Sequence, residues 1–165
     1  MIALTRVDDR LIHGLVAVAW TSHIAPETIL VANDSAASDP IKKSAMKLAK
    51  PAGVKLVVKS TDAAISALNN PINDNKRIFL VTETVEDAAR IHAGLTVKFD
   101  QLNIGTCGLN KKPGVEYRAT IPQVYMTDDD YAWAAKLDAA GVTVFCQANP
   151  TLERMDFVGI SKVFA

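Results

Sequence analysis

Short apolar runs alternate with longer stretches of helical spacing along the chain. The runs are nearly continuous in Val, Ile, Leu and Phe, which is typical of strands buried on both faces of a parallel sheet. Each run is bounded by polar residues, Gly or Pro, which end regular structure. The predicted strands cover residues 2–7, 29–32, 54–58, 78–81, 102–104, 123–126 and 142–146.

The stretches between the strands carry helix-start signals. Asp39 before Pro40 reads as an N-cap followed by a proline in the first turn. Thr84 with Asp87 resembles a weak capping box. The predicted helices cover residues 12–23, 40–49, 61–68, 85–94 and 128–140, whereas residues 105–118 and the 33–39 connection are predicted to be loops and residues 149–165 give no clear pattern.

Strand–helix alternation predicts an α/β fold. We expect a single domain over residues 1–165, built as an open, doubly wound, mostly parallel sheet with helices on both faces. In such sheets the active site lies outside the carboxyl ends of the strands, near the point where the strand order reverses. The search for function therefore narrows to the loops that follow strands.

Charge and composition exclude some classes of function. The 165 residues hold 18 Lys and Arg against 18 Asp and Glu, so no broad basic surface for nucleic acid is expected. The apolar run over residues 14–20 is far shorter than the ~20 residues that span a bilayer. No signal peptide is visible, and these observations predict a cytoplasmic protein.

Charged side chains concentrate at the end of the first predicted strand. Histidine titrates near neutrality and offers a ring nitrogen as nucleophile, whereas arginine holds phosphate oxygens in two-point contact. An aspartate can orient the imidazole or restrain an arginine. A glycine leaves room for a phosphoryl group, and a helix N-terminus favours an anion. The residues of this loop are Arg6, Asp8, Asp9, Arg10, His13 and Gly14.

By residue type alone, this loop is explained about equally well as a functional site and as a set of helix caps and salt bridges. His23 and His92 are predicted to be structural, and a positive charge on His92 would suit the end of its helix. Cys107 and Cys146 are expected to be buried free thiols, since they lack metal-ligand spacing. No metal site and no cofactor motif is predicted.

The stretch RVDDRLIHGLV resembles the signature of IIB subunits of the mannose/fructose/sorbose class of the bacterial sugar phosphotransferase system. The similarity extends over nearly the whole chain, through ILVAND, LNIG and GVTVFCQ. It implies a protein-N(pi)-phosphohistidine–sugar phosphotransferase in which His13 is the phosphorylated residue. Arg10 is assigned phosphate binding, with Arg6 and Asp9 in support.

The resemblance also implies partners. The phosphoryl donor would be a IIA protein or domain, and the acceptor a sugar bound by the membrane subunits IIC and IID, with this chain peripherally associated with them. No ATP, metal or nucleic acid takes part. A homodimer is the default expectation for the oligomeric state.

Two departures from the family pattern are present, and two alternatives stay open. Leu15 stands where glutamine is usual, next to the helix start, and Thr106-Cys107 stands where Asn-Met is more usual. A non-catalytic or regulatory relative with the same fold is one alternative. A receiver-like signalling domain is the other, although no phospho-accepting aspartate follows the third predicted strand, which ends at Lys59-Ser60.

Overall fold

The computed structural model of the protein describes residues 1–14 and 16–165 and contains one large sheet. Seven strands lie in the order β3-β2-β4-β1-β5-β8-β9, and a separate hairpin joins β6 to β7. In the large sheet the pairings from β3 across to β8 are parallel, and β9 pairs antiparallel with β8. The strands are β1 (Ile2–Asp8), β2 (Thr28–Ala32), β3 (Lys55–Lys59), β4 (Ile78–Thr82), β5 (Gln101–Thr106), β6 (Arg118–Ile121), β7 (Val124–Met126), β8 (Thr143–Cys146) and β9 (Met155–Asp156).

Helices cover both faces of this sheet, as the sequence predicts. Alternate residues of each central strand point to opposite faces, so that Phe79 and Val81 join one core while Ile78 and Leu80 join the other. The first core receives a π-helix (Val16–Trp20), α1 (Thr21–Ile24), α2 (Asp34–Ser38) and α3 (Pro40–Ala49). The second receives α4 (Thr61–Asn69), α5 (Val85–Gly94), α6 (Asp128–Ala139) and α7 (Phe157–Val163), and a 3₁₀ turn, Pro71–Asn73, follows α4.

The strand order places a crevice beside β1. The chain leaves β1 towards β2 and β3 on one side, and leaves β5 towards β8 on the other. The carboxyl ends of β1 and β5 are therefore a topological switch point, where ligands bind in folds of this kind. None of the helices in the described ranges is long and apolar enough to cross a membrane.

The predicted helix over residues 12–23 is wrong at its start. Leu11 adopts a left-handed conformation with φ 56°, and its N–H donates to the Asp8 carbonyl at 2.9 Å, which closes a tight turn. Leu11 and Ile12 are buried as loop residues, so core burial, and not a helix, explains their apolar character. The π-helix then begins at Val16.

Three further elements correct the predictions. The 33–39 connection contains α2, because the Asn33 side chain accepts a hydrogen bond from the Ala36 N–H at 2.8 Å and so caps the helix. Residue 118, predicted to be irregular, starts β6, which pairs with β7. The two-residue strand β9 is too short to leave a period in the sequence.

Candidate active site

The carboxylate of Asp8 lies at the centre of the candidate site. Asp8 is the last residue of β1 and is fully buried. Its Oδ2 atom accepts hydrogen bonds from Arg6 Nη2 at 3.0 Å, His13 Nε2 at 2.8 Å and Thr106 Oγ1 at 3.1 Å. Its Oδ1 atom accepts from the Arg10 backbone N–H at 3.0 Å. Both oxygens are therefore occupied, and the His13 ring is fixed by one of them.

This environment keeps Asp8 ionised. Burial alone would raise its pKa, but the hydrogen bond from His13 and the charge of Arg6 outweigh burial and lower the pKa of Asp8 below its ordinary value. An ionised carboxylate only accepts hydrogen bonds. The hydrogen on the facing histidine nitrogen therefore belongs to Nε2, which leaves Nδ1 as the ring nitrogen with a lone pair.

Arg6 is completely buried and supports Asp8 from behind. Its guanidinium donates to the Asn103 side-chain oxygen, to the Gln147 carbonyl at 3.2 Å and to the Ala148 carbonyl at 3.3 Å. The indole of Trp20 covers it, with 5.0 Å between the guanidinium carbon and the ring centroid. Its donors are directed at these acceptors and at Asp8, so Arg6 contacts the network from the interior of the fold.

Gly105 makes room for this guanidinium. A Cβ on Gly105 would lie 1.7 Å from Arg6 Nη1 and 1.9 Å from Arg6 Cζ, which no side chain tolerates. The β1–β5 register also shifts here: Val7 pairs with Ile104, and Asp8 pairs with Thr106. The irregularity passes over Gly105 and sets Thr106 opposite Asp8.

His13 lies at the surface where the chain enters the helical segment. Its side chain is 19% exposed, and its carbonyl accepts the N–H of Ala17 at 2.9 Å. A Cβ on the exposed Gly14 would meet nothing within 4 Å, so the space beside His13 is open to solvent. The His13 ring is thus held in one orientation by Asp8 and remains accessible from solvent.

The other predicted site residues lie apart from the Asp8 carboxylate. The Arg10 side chain is exposed and borders a pocket of about 260 Å³, which Lys42 also lines. Asp9 does not contact His13: its Oδ2 accepts the Leu109 N–H at 3.0 Å, and its Oδ1 is buried without a partner among the described residues. Burial and the charge of Asp8 raise the pKa of Asp9. Leu15 lies outside the described residues.

The remaining histidines and the cysteines lie outside this network. His23 is exposed on α1. His92 is buried against Phe99, and burial and the charge of Lys98 lower the pKa of His92. The positive charge at this helix end comes instead from Lys98, whose Nζ donates to the carbonyl of His92 at 2.6 Å. Burial raises the pKa of Cys146 to about 11 and that of Cys107 further still.

The sequence singled out Arg6 as a supporting residue and placed Asp8 in the candidate loop, but it gave Asp8 no role of its own and did not single out Asn103. Arg6 and Asp8 lie on the same face of β1 because side chains two residues apart in a strand point the same way. This two-residue spacing could have predicted their ion pair from the sequence. Asn103 lies opposite Arg6 in the β1–β5 register, which only the strand pairing reveals. Thr106 faces Asp8 for the same reason.

Comparisons with known proteins identify the family of this chain. The family model described as PTS system sorbose subfamily IIB component matches residues 2–163. A probable phosphotransferase enzyme IIB component of Streptococcus pyogenes is 35% identical over 154 residues, which cover 92% of this chain and 93% of the relative. The mannose-specific EIIAB component of Escherichia coli is 31% identical over 99% of this chain and 49% of its own length.

A solved structure has the same fold. The IIB domain of the sorbose permease of Klebsiella pneumoniae superposes with a TM-score of 0.88 at 25% identity, covering 98% of this chain and 97% of that one. The chain therefore belongs to the sorbose-subfamily IIB components of the sugar phosphotransferase system, the phosphotransferases that serve as phosphocarrier subunits in sugar uptake.

Proposed function

We propose that His13 carries the phosphoryl group on Nδ1, receiving it from a phosphorylated IIA partner and passing it to a sugar bound by the membrane subunits IIC and IID. The observation that carries this proposal is the 2.8 Å contact between His13 Nε2 and the ionised Asp8 Oδ2. That contact occupies one ring nitrogen and leaves the other available as the nucleophile.

In the first transfer, the lone pair of Nδ1 attacks phosphorus. The donor's phosphorus–nitrogen bond breaks, and its electron pair returns to the donor imidazole. Because Nε2 keeps its hydrogen, the His13 ring becomes positively charged as the new bond forms. The buried Asp8 carboxylate stabilises that charge, in the way a carboxylate stabilises the histidine of a catalytic triad.

In the second transfer, a sugar hydroxyl oxygen attacks phosphorus and the electron pair of the phosphorus–nitrogen bond returns to Nδ1. Three equatorial oxygens carry negative charge during each transfer. Arg10 carries an exposed guanidinium in the same loop as His13, so it is assigned the contact with these oxygens. Backbone N–H groups at the start of the helical segment after His13 add to this electrostatic support.

Both partners must reach His13, so the docking surface surrounds it. A protein interface of standard size buries about 800 Å² per partner, more than one loop provides. The adjoining α3 helix offers exposed apolar side chains at Ile41 and Leu48, and it carries Lys42, Lys43 and Lys47 without an acid. Leu11, although it belongs to the same loop, is buried and contributes little to this surface.

The donor is proposed to be a IIA protein, since a relative of this chain carries EIIA and EIIB in one name. We also propose a cytoplasmic location, with the chain held at the membrane only through the permease subunits. That residues 1–165 form one IIB domain and that two copies form a homodimer both stay predictions.

The receiver-like alternative is disfavoured by the environment of Asp8. Asp8 ends β1, where a receiver also has acidic residues, but it is fully buried and bonded on both oxygens. Lys59 and Ser60 follow β3, where a receiver has its phosphorylated aspartate. The non-catalytic alternative is disfavoured by the intact Asp8–His13 pair.

Intact mass spectrometry tests the proposal. The protein is incubated with phosphoenolpyruvate, the two general phosphotransferase proteins and a IIA protein shown to be charged. We expect one added phosphoryl group, labile in acid, on the wild type and on the control variant His23→Ala. Its persistence in a folded His13→Ala variant, or its absence from the wild type, would overturn the assignment.

A further inference from the structure

We infer that Thr106 is a positioning residue for phosphoryl transfer, whose hydroxyl holds the Asp8 carboxylate against His13 Nε2. This inference rests on the proposed role of His13. The observation that points to it is the hydrogen bond from Thr106 Oγ1 to Asp8 Oδ2 at 3.1 Å, made to the same oxygen that accepts from His13. Thr106 and Asp8 are both fully buried.

The backbone is arranged to bring this hydroxyl into place. Regular pairing would set Gly105, which has no side chain to offer, opposite Asp8. The register shift between β1 and β5 instead pairs Asp8 with Thr106. The Thr106 carbonyl also accepts the N–H of Asp9 at 3.1 Å, so the same residue holds the first residue of the His13 loop.

The hydroxyl supplies what the other donors to Asp8 do not. Arg6 approaches Oδ2 from its own strand, two residues away, and the Arg10 N–H binds the other oxygen. The Thr106 hydroxyl comes from the neighbouring strand and ties the carboxylate across the switch point. Hydrogen bonds to ionised groups are among the stronger ones in proteins, and partners of this kind orient the residue that does the chemistry.

Burial separates this role from a role in binding. Thr106 has no exposed surface, so it cannot touch the donor protein or the sugar. Its loss should therefore change the rate of transfer at saturating donor and leave the half-saturating donor concentration unchanged. A residue that merely packed the core would change neither the transfer rate nor the state of the His13 ring.

The test compares Thr106→Val, which keeps the shape and removes the hydroxyl, with Thr106→Ser, which keeps the hydroxyl. We expect Thr106→Val to slow phosphoryl uptake from charged IIA about 10-fold at saturation, in keeping with the loss of one hydrogen bond to a charged group. Thr106→Ser should stay within roughly 3-fold of the wild type, on the same grounds.

A second readout needs no phosphoryl transfer. The ¹⁵N NMR spectrum of the His13 ring reports which nitrogen carries the hydrogen, and we expect a smaller share of the Nε2–H form in Thr106→Val than in wild type or Thr106→Ser. Thermal unfolding checks that both variants fold. Unchanged ring spectra and saturated rates in Thr106→Val, or equal defects in the two variants, would overturn the inference. If His13 proved not to be the phosphorylated residue, the ring spectra would still decide the role of Thr106.

Discussion

The two sides of the His13 loop differ in how firmly they are held. Towards β5, Asp8, Arg6 and Thr106 are fully buried and bonded to one another. Towards α3, Arg10 is exposed beside an open pocket, and the Lys42 ammonium donates only to the exposed Ser35 hydroxyl, at 2.9 Å, among the described residues. The fold thus holds the His13 ring on one side and leaves cationic side chains accessible on the other. Substitutions on the β5 side should affect stability and transfer together, whereas those on the α3 side should affect transfer alone.

The largest effect is expected from Asp8→Asn. The substitution leaves the Arg6 guanidinium buried without its charged partner, which typically costs about 3–5 kcal/mol. It also removes the carboxylate that orients His13, so phosphoryl uptake should fall by roughly 100-fold or more. Urea unfolding and the IIA transfer assay measure the two effects.

The neighbouring acid provides a matched control. Asp9→Asn keeps a side-chain oxygen for the Leu109 N–H and changes no contact of His13, so both effects should be small. Equal losses in Asp8→Asn and Asp9→Asn would remove the distinction between the buried network and its surroundings.

The two acids should also respond to pH with opposite signs. The pKa of Asp8 is lower in the folded chain than its ordinary 3.8. The contacts of its carboxylate therefore stabilise the folded chain fully above pH 3.8, and this stabilisation is lost as the pH falls through the folded pKa. The pKa of Asp9 is raised, so its ionisation costs stability as the pH rises past 3.8.

Urea unfolding over a series of pH values measures this difference. The difference in the free energy of unfolding between wild type and Asp8→Asn should shrink as the pH falls below about 4. The free energy of unfolding of Asp9→Asn should instead increase relative to that of the wild type as the pH rises past this value. Parallel pH profiles for all three proteins would contradict the assignment of the ion pair to Asp8.

The smallest effect on stability is expected from Arg10→Ala. Substitution of an exposed side chain typically changes the free energy of unfolding by no more than about 0.5 kcal/mol. Transfer should nevertheless fall by roughly 10- to 100-fold, since a guanidinium on the phosphoryl oxygens is lost. Arg10→Lys should recover only part of the rate, because an ammonium cannot make the two-point contact.

Lys162→Ala is the control for Arg10, because Lys162 is an exposed cation on α7, on the other face of the sheet, and does not line the pocket. It should leave the rate of transfer near that of the wild type. If Arg10→Ala transferred at the wild-type rate, or unfolded as readily as Asp8→Asn, the division between the two sides would not hold.

The sequence predicts the fold correctly wherever burial of one face gives the apolar residues a helical or strand spacing. The central strands and the helices with caps, such as α3 after Asp39, are set by local signals that the chain displays. The start of the first helix was not readable, since a loop that buries Leu11 and Ile12 has the same apolar pattern as a helix face. The strand β9 depends on pairing with β8, which is a long-range contact.

The candidate site shows the same limit. His13 and both arginines could be singled out because they crowd one strand end, but choosing between Asp8 and Asp9 requires knowing where β1 ends. Its last residue, Asp8, faces the neighbouring strands, whereas Asp9 has already turned away towards Leu109. The roles of Asn103, Gly105 and Thr106 follow from the β1–β5 register, which no local pattern encodes.

The most direct test of the account is to identify the phosphorylated atom. The wild-type protein, labelled with ¹⁵N in histidine and charged by IIA, is examined by ³¹P- and ¹⁵N-detected NMR for coupling between phosphorus and a ring nitrogen. We predict coupling to Nδ1 of His13, with Nε2 still carrying the hydrogen that Asp8 holds. Coupling to Nε2, or phosphorus on any other residue, would contradict the claim that Asp8 selects the nucleophilic nitrogen.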